Sequence, residues 1–147
     1  MKTNPRLLAN LPAPLSEHQL EDRFDDYLDE AYDVIELMGV TVMPHEFLRK
    51  HDETAYRCAF NDWLDGEIGE SLVEYDGECY SKDSFDSAVA DTVLEIVVEI
   101  DEAQERITAA QEEVNDFDER EHYSERIRDL ESEVEALENE KSNLENL

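Results

Sequence analysis

Carboxylates dominate the side chains of this sequence that could do chemistry, since 41 of its 147 residues are Asp or Glu, against 12 Lys and Arg. Two carboxylates held close together could share a proton or bind a divalent cation. Pairs at helical spacing are so numerous that none stands out as an acid–base couple, and proximity alone nominates none. The acidic stretches near Gly66 and Gly77 also lack the spacing of a calcium-binding loop.

The other groups that could bind a metal or act as nucleophiles are scattered. His45, His51, Cys58 and Cys79 have none of the CxxC or HxxxH spacings that zinc sites use. The chain also lacks a Gly-rich phosphate loop and a GxSxG nucleophile elbow. We therefore expect no catalytic residue, no cofactor and no metal, and the sequence predicts a protein that is not an enzyme. Two cysteines do not make a disulfide framework, so reduced thiols are expected.

The formal net charge of −29 is spread over the whole chain. Residues 1–83 carry 20 acids and 7 bases, and residues 84–147 carry 21 acids and 5 bases. Contact with phosphates requires clustered Lys and Arg, so direct nucleic-acid binding is not expected. No apolar run is long enough to span a membrane, and the N-terminus is too short and too rich in Pro for a signal peptide. A cytoplasmic protein that binds no membrane is the expectation.

The elements that must position the carboxylates are clearest in residues 84–147. Apolar residues alternate there at steps of four and three, which is the seam of a coiled coil. One seam runs through Val89, Val93, Ile96, Ile100, Ala103, Ile107, Ala110, Val114 and Phe117, and a second through Tyr123, Ile127, Leu130, Val134, Leu137, Lys141 and Leu144. The seams are one residue out of frame, which a continuous coiled coil does not absorb smoothly. This favours an antiparallel helical hairpin that turns near residues 115–122, although one continuous helix that dimerises with another chain remains open.

Residues 16–83 are predicted to form a small helical body. Ser16 and Gln19 have capping-box spacing, and apolar residues at helical spacing extend that helix to Met38, with Gly39 as its stop. Two shorter helices begin near Pro44 and after Asp52. A β-hairpin is predicted near residues 71–81, where Asp-Gly lies between β-prone residues. Residues 1–15 contain three prolines and are predicted to be an extended arm.

Together these elements predict a mainly α protein. A small helical body with one β-hairpin would be followed by a long antiparallel coiled-coil helical hairpin. Carboxylates at spacings of three and four on the helices, and at the tip of the hairpin, are the candidate partner-binding groups. They are Asp22, Asp25, Asp26, Asp29, Asp116, Asp118, Glu119, Glu131, Glu135 and Glu138.

Two resemblances bear on function. The stretches YLDEAYDVIELMG, AYRCAFNDWLD and VEYDGECY, within residues 24–80, resemble segments of small uncharacterised acidic proteins of tailed bacteriophages. That resemblance implies a host-takeover or anti-defence protein that acts in the host cytoplasm. A coiled-coil hairpin with acids at its tip also looks like the finger that transcript-cleavage factors insert into RNA polymerase.

The favoured hypothesis is a phage-type inhibitor that offers carboxylates in place of nucleic-acid phosphates. Its partner would be a basic host or defence protein, such as a nuclease, a methyltransferase, a polymerase or an effector complex. One alternative is a coiled-coil scaffolding protein that forms a homodimer. Another is adaptation to high salt, in which the charge serves solvation alone.

Overall fold

The computed structural model describes the backbone of residues 3–114 and 120–147, and the side chains of residues 3–113 and 124–147. This part of the chain is mainly helical and contains two antiparallel β-hairpins. In chain order the elements are α1 (Pro5–Asn10), α2 (Glu17–Ala31), β1 (Ile35–Leu37), β2 (Val40–Val42), α3 (Pro44–His51), α4 (Glu53–Glu67), β3 (Leu72–Tyr75), β4 (Glu78–Ser81), α5 (Lys82–Val114) and α6 (Arg120–Glu145). They form two compact units: Leu11–Phe85, and Asp86–Leu147 together with the residues up to Asn10.

The core of the Leu11–Phe85 unit is built around Phe24 of α2, which is 1% exposed. Its ring centroid lies 5.3 Å from that of Tyr56, 5.6 Å from Phe60 and 5.5 Å from Trp63, all on α4. The capping box predicted at the start of α2 is confirmed. Ser16 Oγ accepts a hydrogen bond from the Gln19 amide at 3.3 Å, and Gln19 Oε1 accepts one from the Ser16 amide at 2.9 Å.

Helix α2 ends at Ala31, so the prediction of a helix that continues to Met38 is wrong. The following residues form the antiparallel β1–β2 hairpin, in which Ile35 pairs with Val42 and Leu37 with Val40. Val, Ile and Thr favour extended backbone, and their alternation with polar residues has the period of a strand. The sequence prediction of one β-hairpin therefore misses this one.

The hairpin predicted near residues 71–81 is confirmed as β3–β4, with Tyr75 opposite Glu78 across a two-residue turn. Asp76 and Gly77 adopt φ of +55° and +79°, as a type I′ turn requires. Two strands alone are marginally stable, so the hairpin needs an apolar surface to pack on. The ring of Phe85 provides one, with ring centroids 5.4 Å from Tyr75 and 6.3 Å from Tyr80.

The N-terminal segment is not extended throughout, because Pro5–Asn10 form helix α1. Pro5 occupies the first helical position, where no amide donor is needed. Asn4 Oδ1 caps the helix by accepting hydrogen bonds from the amides of Arg6 at 2.8 Å and Leu7 at 3.1 Å. The Leu7 side chain is fully buried. The prediction of an extended arm over residues 1–15 is therefore wrong for α1.

Helix α5 packs on α6 of the same chain. Arg106 of α5 forms an ion pair with Glu133 of α6 at 3.3 Å. Arg6 of α1 contacts both Glu99 of α5 at 2.7 Å and Glu140 of α6 at 3.4 Å. Arg106 of α5 lies near Glu133, whereas Glu99 of α5 and Glu140 of α6 share a contact with Arg6. Lower residue numbers on α5 therefore lie beside higher numbers on α6, so the two helices run in opposite directions. The turn predicted near residues 115–122 falls largely outside the described residues.

Among the described side chains, every position of the predicted seam is buried or half-buried. On α6 the residues that turn inward are Leu130, Leu137 and Leu144, and on α5 they are Ile96, Ile100, Ala103 and Ala110. At the beginning of α5 the buried position is Thr92 rather than its predicted neighbour Val93. Thr92 Oγ1 donates a hydrogen bond to the Ala88 carbonyl at 2.7 Å and accepts one from Asn10 Nδ2 at 3.0 Å. This hydrogen bond to the end of α1 explains why a polar residue lies inside.

Candidate protein-binding surfaces

The clearest acidic surface is a row of three carboxylates on α6, here called the α6 row: Glu131, Glu135 and Glu138. All three are exposed, and they lie off the buried seam of α6. Side chains three and four positions apart on a helix lie on one face, with Cβ atoms about 5–6 Å apart. Within the described part of the chain, none of the three has an ion-pair partner. The α6 row can therefore present three unneutralised carboxylates to a partner.

The neighbouring carboxylates of α6 have a different role. Glu133 pairs with Arg106 and Glu140 with Arg6, so both hold α6 in place. The hydrogen bond with Glu99 is the main cause of the raised pKa of Arg6, and the nearby charge of Glu140 raises it further. The acids of α6 thus divide into a group that fixes the helix and the α6 row, which faces solvent.

The predicted α2 row consists of Asp22, Asp25, Asp26 and Asp29, and the structure divides it. Asp22 and Asp26 are exposed. Asp25 and Asp29 are each engaged by a residue of α3: Arg49 Nη2 lies 2.9 Å from Asp25 Oδ2, and His45 Nδ1 lies 2.7 Å from Asp29 Oδ2. These two carboxylates hold α3 against α2, so the surface they leave for a partner is small.

Asp25 also belongs to a polar cluster with Arg49 and Tyr56. The Tyr56 hydroxyl donates to Asp25 Oδ1 at 2.7 Å and accepts from Arg49 Nη2 at 2.7 Å. The Arg49 guanidinium also lies 4.6 Å from the centre of the Tyr56 ring. Burial and the adjacent Asp25 carboxylate raise the pKa of Tyr56, because both disfavour the phenolate. The cluster joins α2, α3 and α4.

Some exposed acids on α2 and α5 are not among the predicted partner-binding residues. Glu30 continues the exposed side of α2 one turn beyond Asp26. Asp101, Glu105 and Glu112 line a shallow, open depression along α5. The α5 acids are four and seven residues apart and lie off the seam, which is the sequence signal that they share one exposed face of the helix. Both sets lie on regular helices, which hold carboxylates at fixed separations.

Three of the predicted partner-binding residues, Asp116, Asp118 and Glu119, lie outside the described residues. The candidate metal-binding groups do not come together in the part of the chain that is described, where no three His, Cys, Asp or Glu side chains are placed to hold an ion. Cys58 is exposed and Cys79 half-buried, and both are free thiols. Burial is the main cause of the raised pKa of Cys79, which makes it a poor nucleophile near neutral pH.

Comparison with known proteins adds no relative. The chain matches no protein-family model, and neither the curated proteins nor the solved structures contain a significant match. Among the described helices, none combines the length and apolar character that a membrane crossing requires. The chemistry of the surfaces themselves is therefore what supports a function.

Proposed function

We propose that this chain is a non-enzymatic acidic protein that binds a basic protein by presenting carboxylates where the target normally binds nucleic-acid phosphates. The α6 row is the observation that carries the proposal. Its three carboxylates are exposed and off the seam, and they have no ion-pair partner among the described side chains. Self-repulsion at a net charge of −29 costs stability, and a row that stays unneutralised adds to that cost.

The spacing of charge along α6 supports imitation of nucleic acid. Six acids and no Lys or Arg occur between positions 129 and 140: Asp129, Glu131, Glu133, Glu135, Glu138 and Glu140. At ~1.5 Å per residue these carboxylates average about one per 3 Å of helix axis. One strand of B-DNA carries one phosphate per ~3.4 Å. Internal ion pairs with Glu133 and Glu140 leave four of the six for a partner.

Rigidity is the second requirement, because a flexible acidic tail would lose entropy when it is ordered on a target. We propose that α5 and α6 form a long antiparallel coiled-coil hairpin whose buried seam holds the α6 row in one conformation. The Arg106–Glu133 ion pair and the burial of Leu130, Leu137 and Leu144 at seven-residue intervals support this arrangement.

The target we propose is a bacterial DNA- or RNA-binding protein, such as a nuclease, a methyltransferase, a polymerase or a defence effector, met in the host cytoplasm. The resemblance of residues 24–80 to acidic phage proteins supports an inhibitor of this kind. Opposite charges would steer the encounter and make association fast at low salt. An acidic hairpin tip that includes Asp116, Asp118 and Glu119 is part of the hypothesis but adds no structural support.

The test is competition with DNA. A bacterial lysate is bound to duplex-DNA resin at about 0.1 M NaCl, and the washed resin is treated with this protein at increasing concentration. We expect release of specific DNA-binding proteins, because the carboxylates compete for their phosphate-binding surfaces. Binding of the released proteins to this protein immobilised without DNA should weaken steeply as salt rises. Reversal of the α6 row to Lys should reduce release by more than about 100-fold, since like charges would then face the basic target.

A matched pair of variants separates the effect of the α6 row on release from the effect of the net charge. Glu131→Gln, Glu135→Gln and Glu138→Gln together raise the net charge by three units. Gln111→Lys, Asn143→Lys and Asn146→Lys raise it by the same amount at exposed positions that are not three or four residues from the α6 row. We expect only the Gln variant to lose release. Equal loss in both variants, or no release by the wild-type protein, contradicts the proposal. A discrete homo-oligomer that releases nothing would favour scaffolding instead.

A further inference from the structure

The β1–β2 hairpin places one apolar sheet face in solvent. Alternation along the strands puts Ile35, Leu37, Val40 and Val42 on one face, with Glu36 and Thr41 on the other. Leu37 is 70% exposed and Val40 is 61% exposed. In the described part of the chain no third strand pairs with this hairpin. The face at its tip is therefore uncovered.

The turn of this hairpin is more unusual than its strands. Met38 and Gly39 adopt φ of +51° and +81°, nearly the same as +55° and +79° at Asp76 and Gly77 in the β3–β4 hairpin. Asp and Asn tolerate the left-handed conformation because their short polar side chains form local hydrogen bonds, whereas Met has no such compensation. Met38 is also 97% exposed. The free protein gains nothing from a Met at this position, either in backbone conformation or in burial.

The unfavourable backbone conformation of Met38 and the exposure of its side chain are both offset if the tip is buried in a partner. We propose that Leu37, Met38 and Val40 form an anchor that inserts into an apolar pocket on a basic protein, with Lys and Arg around the rim of that pocket. Met is a suitable anchor because its flexible, polarizable side chain adapts to pockets of irregular shape. Apolar residues buried at the centre of an interface, inside a polar rim, are where binding energy is concentrated.

The charge around the tip of the β1–β2 hairpin decides which kind of partner can cover the anchor. Exposed acids flank the anchor at Glu30, Asp33 and Glu36, and no Lys, Arg or His occurs between Phe24 and Pro44. A second copy of this chain would bring the same acids against them, and an anionic membrane surface would repel them in the same way. A basic rim is the complementary surface. This inference rests on the proposed function, to which it adds an apolar contact that salt does not screen.

The test uses Met38→Asn in the DNA-resin competition, with the DNA-bound fraction of a bacterial lysate as the probe. Asn removes the apolar side chain and suits positive φ, so the thermal unfolding midpoint should be unchanged or higher. Loss of one buried Met should raise the concentration needed for release by about 10- to 100-fold. In direct binding of the released proteins to the immobilised protein without DNA, the residual binding at about 1 M NaCl should disappear in Met38→Asn, because the apolar contact is what survives screening.

Asp76→Asn is the matched control, since it introduces the same residue at the equivalent position of the other turn. It should release DNA-binding proteins as well as the wild-type protein does. A double variant, Leu37→Thr with Val40→Thr, places β-branched residues at both strand positions and should lose release as Met38→Asn does. Circular dichroism establishes that each variant has the helical content of the wild-type protein.

The outcomes separate this inference from the proposed function. Release that depends on the α6 row but is unchanged by both hairpin variants overturns the anchor and leaves the proposed function standing. A wild-type protein that releases nothing overturns both. A Met38-dependent dimer in sedimentation at about 1 M NaCl, or Met38-dependent binding to phosphatidylcholine–phosphatidylglycerol vesicles, shows a different occupant and also overturns the assignment.

Discussion

Tyr56 is the residue through which three helices of the Leu11–Phe85 unit are joined. It is 3% exposed, yet its hydroxyl reaches Asp25 of α2 and Arg49 of α3 at 2.7 Å each. A buried hydroxyl is costly unless it is hydrogen-bonded, and here it serves as donor and acceptor at once. The same side chain supplies a ring to the core around Phe24.

We predict that Tyr56→Phe lowers the free energy of unfolding by about 1–2 kcal/mol, because the ring stays while two hydrogen bonds are lost. The fall should depend on pH. The folded state raises the pKa of Tyr56, so its contribution is complete below the ordinary tyrosine value of about 10 and is lost as pH rises above it. Wild-type stability should therefore fall above about pH 10 more steeply than that of the variant, as urea unfolding at several pH values would show.

Tyr32→Phe is the control for this measurement, because Tyr32 is 61% exposed. Its effect on unfolding should stay within about 0.5 kcal/mol at every pH. Equal pH dependence of the wild-type protein and Tyr56→Phe would show that burial and Asp25 do not hold the phenol neutral.

Leu7 is the residue on which α1 depends. We predict that Leu7→Ala lowers the free energy of unfolding by about 2–5 kcal/mol, since its side chain is fully buried and leaves a cavity. Leu8→Ala, at the next position of the same helix, should cost much less because Leu8 is 39% exposed. Chemical denaturation of the two variants would make the comparison, and equal losses would show that α1 does not pack as described.

Among the helices and strands, the sequence predicts those whose structure depends on local apolar spacing or on turn residues. The seam of α6 follows from its period, and the β3–β4 hairpin follows from Asp76-Gly77. Helix α1 could not be predicted this way, since six residues are too few for a stable isolated helix and its burial comes from distant residues. The β1–β2 hairpin was missed because Ile35 and Met38 also fit a helical spacing.

The candidate site could be predicted only in part for a similar reason. Spacing along one helix indicates which acids share a face, and this was enough for Glu131, Glu135 and Glu138. Spacing does not show which acids will form ion pairs with residues that are distant in the sequence. Asp25 and Asp29 are engaged by Arg49 and His45, which lie 24 and 16 positions further along the chain. Only the packing of α3 on α2 brings them together.

The contact between α5 and α6 makes its own prediction. Ile100→Asp should lower the free energy of unfolding by about 3–5 kcal/mol, because a charge would be buried without a partner. Ile100 is 8% exposed, whereas Leu94 on the same helix is 62% exposed. Leu94→Asp should therefore leave the stability nearly unchanged. Thermal unfolding followed by circular dichroism distinguishes the two, and a silent Ile100→Asp would contradict the packing of α5 on α6.

For the whole molecule, the net charge of −29 predicts a marked effect of salt on stability. Raising NaCl from about 0.01 M to 0.15 M shortens the Debye length from ~30 Å to ~8 Å and screens the self-repulsion. We predict a folded protein in dilute buffer whose unfolding temperature rises over this range. Circular dichroism at each salt concentration provides the measurement. Loss of helical signal in dilute buffer would favour adaptation to high salt over imitation of nucleic acid.

The packing of α1 also sets the order in which the protein can mature on the ribosome. Asn4 and Glu140 are hydrogen-bonded although 136 positions separate them, so α1 is synthesised well before the helices that it contacts. The unit Leu11–Phe85 holds all of its own residues in one continuous segment and can fold while synthesis continues. Leu7 must remain uncovered until residues 86–147 have emerged. During that interval, the nascent chain exposes an apolar segment at α1 that chaperones can bind.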